Sequence, residues 1–140
     1  MNLPHIMLIT PNRKSPLMAR FYENLSKNQL TTTRCKKCGS LLWPPRDFCP
    51  KCMSREVEVT RLSGIGEIVS FTEIIDGAPA GMESEQPYLL AIIMLEEGMK
   101  LLARVVGAKY DELSIGMKVE LTIRKLHDGG IVMAFKPLGR

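Results

Sequence analysis

The chain has 140 residues, of which 45% are hydrophobic and 24% are charged, and its formal net charge at pH 7 is +4. This balance is typical of a folded globular protein, and the length suffices for a small metal-stabilised module followed by one small domain. The longest uncharged apolar run, residues 88–95, is far shorter than the roughly 20 residues that cross a bilayer, so the composition excludes a membrane-spanning helix.

The N-terminus contains a short apolar patch at residues 6–9. No cationic region precedes this patch and no small-residue cleavage site follows it, so we expect no signal peptide and a cytoplasmic protein. The cytoplasm is a reducing compartment, in which closely spaced cysteines are more often metal ligands than disulfides.

We predict an N-terminal segment, residues 1–30, that contains one helix over residues 16–28. Ser15 is a typical N-cap, and Pro16 suits the first helical position because its missing N–H would be unpaired there anyway. Apolar residues follow at helical spacing and form one stripe: Leu17, Met18, Phe21, Tyr22 and Leu25. The stripe either packs on the ribbon or barrel of its own chain, which is the commoner outcome, or contacts another protein. The candidate partner-binding residues are Leu17, Phe21, Tyr22 and Leu25.

Residues 31–56 contain all four cysteines, in two Cys-x-x-Cys pairs with ten residues between them. Cys35 and Cys38 form the first pair and Cys49 and Cys52 the second, and this spacing brings four thiolates to the corners of a tetrahedron. A complete shell of four sulfurs leaves no coordination position for water or substrate, so we predict a structural zinc site in a rubredoxin-like ribbon. Because iron accepts the same ligands, an iron site for electron transfer is the alternative.

Residues 57–140 predict an OB-fold, which is a partly open five-stranded barrel. The expected elements, in chain order, are strands over residues 57–75, 88–95 and 100–106, a short helix over 109–115, and strands over 118–126 and 131–135. The first strand should be broken or bent at Gly64 and Gly66, where a barrel turns a corner. The small-residue loop at residues 76–86 has little that would pack it down, so we expect it to be mobile. The prediction is therefore a mainly β chain with an N-terminal helix, a zinc ribbon and an OB-fold.

Positive charge is concentrated in the first part of the chain. Residues 1–56 hold ten Lys and Arg against three acids, a balance of +7, whereas residues 57–140 hold nine against twelve, a balance of −3. A basic ribbon with interleaved aromatic side chains suits a ligand that combines phosphates with an apolar arm. The candidate ligand-binding residues are Arg34, Lys36, Lys37, Trp43, Arg46, Phe48 and Lys51. The alternative is that the lysines are ordinary solvated residues and that the aromatic residues form the core of the ribbon.

No catalytic arrangement is recognisable in the sequence. A serine–histidine–acid triad would have to use His5 or His127, and neither lies near a nucleophile turn. The stretch at residues 64–66 lacks the third glycine and the helix that complete a phosphate-binding loop. We therefore predict that the chain alone is not an enzyme.

Several motifs occur in the same order in a known family. They are Phe21-Tyr22-Glu23-Asn24-Leu25, Arg34-Cys35-Lys36-Lys37-Cys38-Gly39, Trp43-Pro44-Pro45-Arg46, Cys49-Pro50-Lys51-Cys52, Pro87-Tyr88-Leu89-Leu90-Ala91, Glu97-Gly98 and Gly116-Met117-Lys118-Val119. With these motifs the chain, from about residue 17 to its end, resembles the acyl-CoA-associated zinc-ribbon/OB-fold family.

The resemblance implies a non-catalytic partner of thiolase-fold enzymes. Archaeal members of this family bridge acetoacetyl-CoA thiolase and HMG-CoA synthase and help to pass the CoA-bound intermediate between them, so the resemblance implies a scaffold that binds acyl-CoA. The alternative function is binding of single-stranded nucleic acid, which zinc ribbons and OB-folds also perform. The balance of −3 on the barrel half argues against it, because a groove that binds nucleic acid is usually positive.

Overall fold

The computed structural model describes residues 15–80, 82–126 and 129–139. The chain divides into two units, one that ends at Ser63 and one that begins at Gly64. The architecture is mainly β, with one helix before a ribbon sheet and then a closed five-stranded barrel, and this confirms the predicted fold class. The predictions for residues 1–14, including His5, and for His127 lie outside the described residues.

The first unit begins with helix α1, Pro16–Ser26. The Ser15 hydroxyl caps the helix by accepting a hydrogen bond from the backbone N–H of Met18 at 3.4 Å, as the N-cap pattern predicts. The helix ends before the predicted end at residue 28, because Asn28 adopts a left-handed backbone with a φ of 60°. No helix among the described residues is long and apolar enough to cross a membrane.

An antiparallel sheet of three strands follows, with β1 at its centre and β2 and β3 at its edges. The strands are β1 (Thr31–Cys35), β2 (Leu41–Leu42) and β3 (Val57–Arg61). The strand predicted over residues 57–75 is broken beside Gly64, as the prediction allows, but its first part does not belong to the barrel, because β3 pairs with β1 over five residues and a separate strand enters the barrel. The ribbon sheet therefore continues past residue 56, after which the sequence analysis places the barrel.

The second unit is a closed barrel of five strands in the order β4-β5-β6-β8-β7. Its strands are β4 (Ile65–Ile74), β5 (Tyr88–Leu95), β6 (Lys100–Val105), β7 (Lys118–Lys125) and β8 (Ile131–Pro137). Neighbouring strands are antiparallel except β6 and β8, which run parallel. In place of the short helix predicted over residues 109–115 there is a single 3-10 turn, Tyr110–Glu112, because Leu113 already has an extended backbone.

The barrel closes around an apolar core and a glycine corner. The largest fully buried side chains of the barrel are Ile68, Ile93, Leu95, Val119 and Phe135. Gly66 pairs with strand β5 on one side and with strand β7 on the other. A Cβ at Gly66 would lie 2.5 Å from the carbonyl oxygen of Met94, so only glycine lets the neighbouring strand approach this closely. The corner lies where the sequence predicts a bend.

The segment between β4 and β5, which the sequence analysis expects to be mobile, packs against the barrel. It contains a 3-10 turn at Glu83–Glu85. Met82 is only 3% exposed and packs with Leu126 and Val132. The premise that little packs this segment down is wrong, because this one apolar side chain finds a buried position that is distant in sequence.

The same segment is tied to two strands by the carboxylate of Glu85. One oxygen, Oε1, accepts hydrogen bonds from the Arg104 guanidinium on β6 at 3.1 Å and from Nε of Arg124 on β7 at 3.2 Å. Arg104 is 6% exposed, and its guanidinium lies over the Tyr88 ring, 4.4 Å from the ring centroid. Burial raises the pKa of Glu85, but the hydrogen bonds and charges of the two arginines outweigh burial and hold the pKa below its usual value. Glu85 is therefore ionised at neutral pH and compensates a buried positive charge.

Glu85→Gln should destabilise the barrel at neutral pH, because it leaves the charge of Arg104 buried without a counterion. Removing one partner of a buried ion pair costs about 3–5 kcal/mol, and we expect the lower end because Arg124 is 46% exposed. Since folding lowers the pKa of Glu85, its stabilisation is complete above the unfolded-state pKa and is lost as the pH falls through the folded-state pKa. The difference in unfolding free energy between wild type and variant should therefore shrink below about pH 4.5. Urea unfolding at neutral and acidic pH measures both effects.

The matched control is Glu96→Gln, at an exposed acid in the turn between β5 and β6. We expect it to change the free energy of unfolding by less than about 0.5 kcal/mol. Glu85, Arg104 and Arg124 form an ion cluster. If Glu85→Gln has no larger effect than this control, or if its effect does not depend on pH, the stabilising role given to this ion cluster is wrong.

Candidate metal centre and basic ribbon surface

The four cysteines of the ribbon lie together. Their Sγ atoms are all within 4.8 Å of one another, with 3.5 Å between those of Cys35 and Cys52 and 3.6 Å between those of Cys38 and Cys49. A tetrahedral metal with metal–sulfur bonds of about 2.3 Å requires sulfur–sulfur distances of about 3.8 Å. The sulfur positions therefore fit one tetrahedral ion. The fold brings together the four cysteines that the spacing predicts as ligands.

The four thiols differ in their tendency to ionise. Hydrogen bonds from the side chain and backbone of Ser40 lower the pKa of the Cys38 thiol to about 6. A backbone hydrogen bond at Ser54 lowers the pKa of Cys52, but burial and the other three cysteines raise it to about 11. Four crowded thiolates repel one another, and a divalent cation among them would stabilise the ionised form of each. The donor set thus suits a thiolate-bound divalent metal.

The candidate metal ligands also form the centre of the small ribbon core. Cys35 and Cys49 are 0% exposed and pack with Leu42, while Val57 and Cys52 pack against this cluster. This cluster by itself gives little hydrophobic stabilisation. A structural zinc ion contributes about 10–16 kcal/mol of apparent binding free energy to folding, which suits it to hold such a ribbon.

The first cysteine pair is held by two backbone hydrogen bonds. The N–H of Gly39 donates to the carbonyl oxygen of Cys35 at 2.9 Å, and the N–H of Cys35 donates to the carbonyl oxygen of Ser40 at 2.9 Å. Gly39 has a φ of 78°, in the left-handed region that glycine adopts without steric cost. We call this turn around a Cys-x-x-Cys pair a knuckle. It requires a left-handed residue directly after its second cysteine.

The second cysteine pair repeats this turn with a methionine in place of the glycine. The N–H of Met53 donates to the carbonyl oxygen of Cys49 at 2.7 Å, and the N–H of Cys49 donates to the carbonyl oxygen of Ser54 at 2.8 Å. Met53 has a φ of 64° and is 70% exposed. A left-handed backbone costs roughly 1–2 kcal/mol for such a residue. Met53 is not among the predicted site residues, although the sequence shows the difference between the two pairs: a glycine follows Cys38, and a methionine follows Cys52.

Thr33 on β1 fixes the connector between the two knuckles, residues 39–48. Its hydroxyl accepts a hydrogen bond from the N–H of Arg46 at 2.9 Å and donates one to the carbonyl oxygen of Arg46 at 2.8 Å. Thr33 is only 1% exposed, whereas the Arg46 side chain is exposed. The threonine thus sets the backbone position from which Arg46 projects. This role of Thr33 has no signature in the sequence, because threonine is common in strands for other reasons.

The predicted ligand-binding residues fall into two groups by exposure. The exposed side chains are those of Lys36, Lys37, Arg46 and Lys51, and the half-buried ones are those of Arg34, Trp43 and Phe48. The Arg34 guanidinium donates to the carbonyl oxygen of Gly39 at 3.0 Å, which holds it along the first knuckle. The Trp43 ring meets the Phe21 ring edge-on, with 5.6 Å between centroids. Part of the indole therefore takes part in the packing of helix α1 on the ribbon.

Helix α1 buries part of its apolar stripe within the first unit. Phe21 is 6% exposed and Leu25 is 0% exposed, so these two candidate partner-binding side chains lie in the core. Leu17 and Tyr22 are half-buried, and burial raises the pKa of Tyr22. Of the four candidates, Leu17 and Tyr22 are the ones that keep surface for contact with another protein.

A depression of about 450 Å³ lies on the barrel beside the 3-10 turn Tyr110–Glu112. Its lining residues are Glu73, Pro87, Leu89, Ala108, Lys109, Tyr110 and Asp111. Among the residues that the structure describes, this lining contains carboxylates, a lysine and a phenol, and no cysteine, histidine or serine. It therefore offers no activated nucleophile of the cysteine or serine type.

Two family models match adjoining parts of the chain. The ChsH2 rubredoxin-like zinc ribbon domain matches residues 25–58, and the ChsH2 C-terminal OB-fold domain matches residues 59–124. Both predicted domain types are thus identified, and β3 lies across their junction.

Similar proteins are named as a scaffold or as parts of enzymes. The chain is 38% identical over 102 residues to a DUF35 domain-containing scaffold protein from Methanocaldococcus jannaschii, a match that covers 72% of each chain. It is 36% identical over 110 residues to the benzoylsuccinyl-CoA thiolase subunit BbsA from Thauera aromatica, covering 74% of this chain and 71% of that subunit. Among solved structures, a chain of the Ltp2-ChsH2(DUF35) aldolase matches with a TM-score of 0.74 and 28% identity, covering 88% of this chain and 95% of that chain.

Cys49→Ser should abolish stoichiometric metal binding, because Cys49 is fully buried and a neutral hydroxyl replaces a thiolate ligand poorly. We expect the first unit to unfold and the barrel, which has its own apolar core, to stay folded. Elemental analysis of the full-length variant measures the metal content, and backbone NMR resonances report on the two units separately.

The matched control is Lys37→Ser, at an exposed residue of the same ribbon that is not a ligand, and it should keep the metal. A full metal content in Cys49→Ser would refute the assigned ligand set. Loss of the barrel resonances together with those of the ribbon would refute the independence of the barrel.

Proposed function

This chain belongs to the DUF35 family of scaffold proteins, and on that basis we propose that it is a non-catalytic accessory subunit of a thiolase-fold enzyme and that it binds acyl-CoA. The observation that carries the proposal is the similarity to BbsA, which is named as a thiolase subunit and is matched over 71% of its length. In its finer form, which the family resemblance suggests, the chain bridges acetoacetyl-CoA thiolase and HMG-CoA synthase.

Two features support a non-catalytic role. Four cysteine sulfurs complete a tetrahedral shell, which leaves no open position at which the ion would activate water. The lining of the barrel depression offers no activated nucleophile. The contribution of this chain would then be binding and positioning, with the chemistry performed by its partner.

The basic ribbon supports binding of CoA. The proposed contacts are Arg34, Lys36, Lys37, Trp43, Arg46, Phe48 and Lys51. CoA carries phosphates, which basic side chains bind through charge-assisted hydrogen bonds. Lys36, Lys37 and Arg46 are exposed and available for such bonds. Trp43 and Phe48 are half-buried and offer apolar surface to the pantetheine arm.

An exposed apolar pair on the barrel supports a protein partner. Ile92 on β5 and Leu102 on β6 lie directly opposite each other and are 38% and 62% exposed. Adjoining exposed apolar side chains often belong to surfaces that bind proteins. On the first unit, Leu17 and Tyr22 are the partner-binding candidates that remain partly exposed.

Binding of single-stranded nucleic acid is the weaker alternative. OB-folds that bind single strands stack the bases on exposed aromatic rings. In this barrel Phe135 is 0% exposed, and Tyr88 is 8% exposed with Arg104 over its ring. Phe71 is half-buried, which leaves Tyr110, at 48%, as the exposed aromatic residue among the described part of the barrel. One exposed ring on a barrel of negative net charge is a poor platform for bases.

We propose zinc as the bound metal, with iron and electron transfer as the alternative. Four thiolates accept both ions, and the matching ribbon domain is named a zinc ribbon. Elemental analysis of the protein as isolated distinguishes the two, and a coloured protein would favour iron.

Purification of the tagged chain from its native cells tests the proposed function. We expect a thiolase-fold enzyme to be recovered in stoichiometric amount and to be identified by mass spectrometry. Recovery of the chain without such an enzyme, or with nucleic acid in its place, would contradict the proposal. The recovered enzyme, produced recombinantly, then forms a defined complex with this chain.

Replacing Lys36 and Lys37 together by glutamate should weaken binding of acetoacetyl-CoA to that complex, because the two lysines supply positive charge for its phosphates. We expect about a tenfold loss of affinity, since charge-assisted bonds at exposed residues are weaker than buried ones. The loss should be smaller at high salt, which screens exposed charges. Isothermal titration calorimetry at low and at high salt measures the affinity and its dependence on salt.

The matched control is Lys100→Glu, at an exposed lysine on strand β6 of the barrel. It should leave the affinity unchanged. Unaltered binding by the double variant, or an equal loss in the control, would show that the ribbon lysines do not contact CoA.

A further inference from the structure

The two knuckles of the ribbon make the same turn with different residues after the second cysteine. In each, the N–H of that residue donates to the carbonyl oxygen of the first cysteine, at 2.9 Å for Gly39 and 2.7 Å for Met53. Both residues have a left-handed backbone, with φ of 78° and 64°. Glycine adopts this backbone freely and methionine does not. A glycine at position 53 would make the same turn at lower cost, so the fold of the ribbon gives no reason for a methionine.

The Met53 side chain faces solvent. It is 70% exposed, whereas methionine stabilises a folded chain chiefly through burial of its apolar surface. A strained backbone that is not repaid by packing is typical of positions with a binding function. The thioether of Met53 is therefore available for contact with another molecule.

Two basic residues, Lys51 and Arg55, each lie two positions from Met53 in the chain, and the acid Glu56 follows Arg55. Lys51 and Arg55 are both exposed, and residues 1–56 together carry a balance of +7. A phosphorylated ligand would use these charges but would gain little from an exposed thioether. An apolar side chain next to positive charges instead complements a protein surface on which acids surround an apolar pocket.

We propose that Met53 is a docking contact of the ribbon and inserts into an apolar pocket with an acidic rim on the partner enzyme. This inference rests on the proposed function, because it requires a thiolase-fold partner, and it extends that function by assigning a contact to the second knuckle. Methionine suits the role because its flexible, polarisable side chain fills irregular pockets. Arg55 meets the rim, where charge steers association more than it slows dissociation.

Biolayer interferometry tests the proposal, with full-length variants of this chain and the recombinant thiolase-fold enzyme recovered with the wild type. Met53→Gly and Met53→Asn both accept a left-handed backbone and remove the thioether. We expect both to keep the metal and the fold but to bind the enzyme at least about tenfold more weakly, mainly through faster dissociation.

Two further variants separate the apolar contact from the charges. Met53→Leu keeps an apolar side chain of similar size and should bind within about threefold of wild type. Arg55→Glu should slow association and reduce its dependence on salt, with little change in dissociation. If Met53→Leu loses as much affinity as Met53→Gly, an apolar insertion is not the contact.

Each remaining outcome is also decisive. Wild-type affinity in both Met53→Gly and Met53→Asn would overturn the docking contact and leave the proposed function intact. Loss of the metal from both variants would also overturn the docking contact, because Met53 would then stabilise the knuckle itself. A wild-type chain that binds no thiolase-fold enzyme would refute the proposed function together with this contact. Weaker binding of a single-stranded RNA, with unchanged binding of the enzyme, would assign the knuckle to nucleic acid instead.

Discussion

Four sulfur atoms within 4.8 Å of one another impose the geometry on which the first unit depends. Each cysteine pair needs a tight turn, and the two turns lead the chain from β1 into the connector and from the connector to β3. Helix α1 then packs on this frame through Phe21 and Leu25. The positions of the basic knuckle residues and of Met53 follow from the same turns. The metal site thus shapes the surface to which we assign a function, although the ion itself would take no part in chemistry.

The barrel is stabilised differently and offers a different surface. Its core is apolar, and the buried Arg104 is compensated by Glu85. Its exposed strand surface carries the apolar pair Ile92 and Leu102. One chain therefore combines a basic surface suited to an anionic ligand with an apolar surface suited to a protein. That combination fits a subunit whose role is to bring others together.

The sequence predicts what local chemistry determines. Cysteine spacing predicts the ligand set, and Ser15 marks the start of the helix. The pairing of β3 was not predictable, because alternating Val57 and Val59 satisfy the pattern of a strand in either sheet. Packing of the loop through Met82 depends on residues far along the chain. The exposure of the knuckle lysines follows from their chemistry, whereas the role of Met53 emerges only when the two turns are compared.

Glu85 also influences how the chain would be degraded. Segments rich in small residues are readily cleaved by proteases when they are exposed and unfolded. Between β4 and β5 such a segment is held by the burial of Met82 and by a carboxylate that spans β6 and β7. A protease must wait for this segment to open, so the cleavage rate follows the free energy of that opening. While the ion cluster is intact, this segment would resist cleavage for longer than its composition suggests.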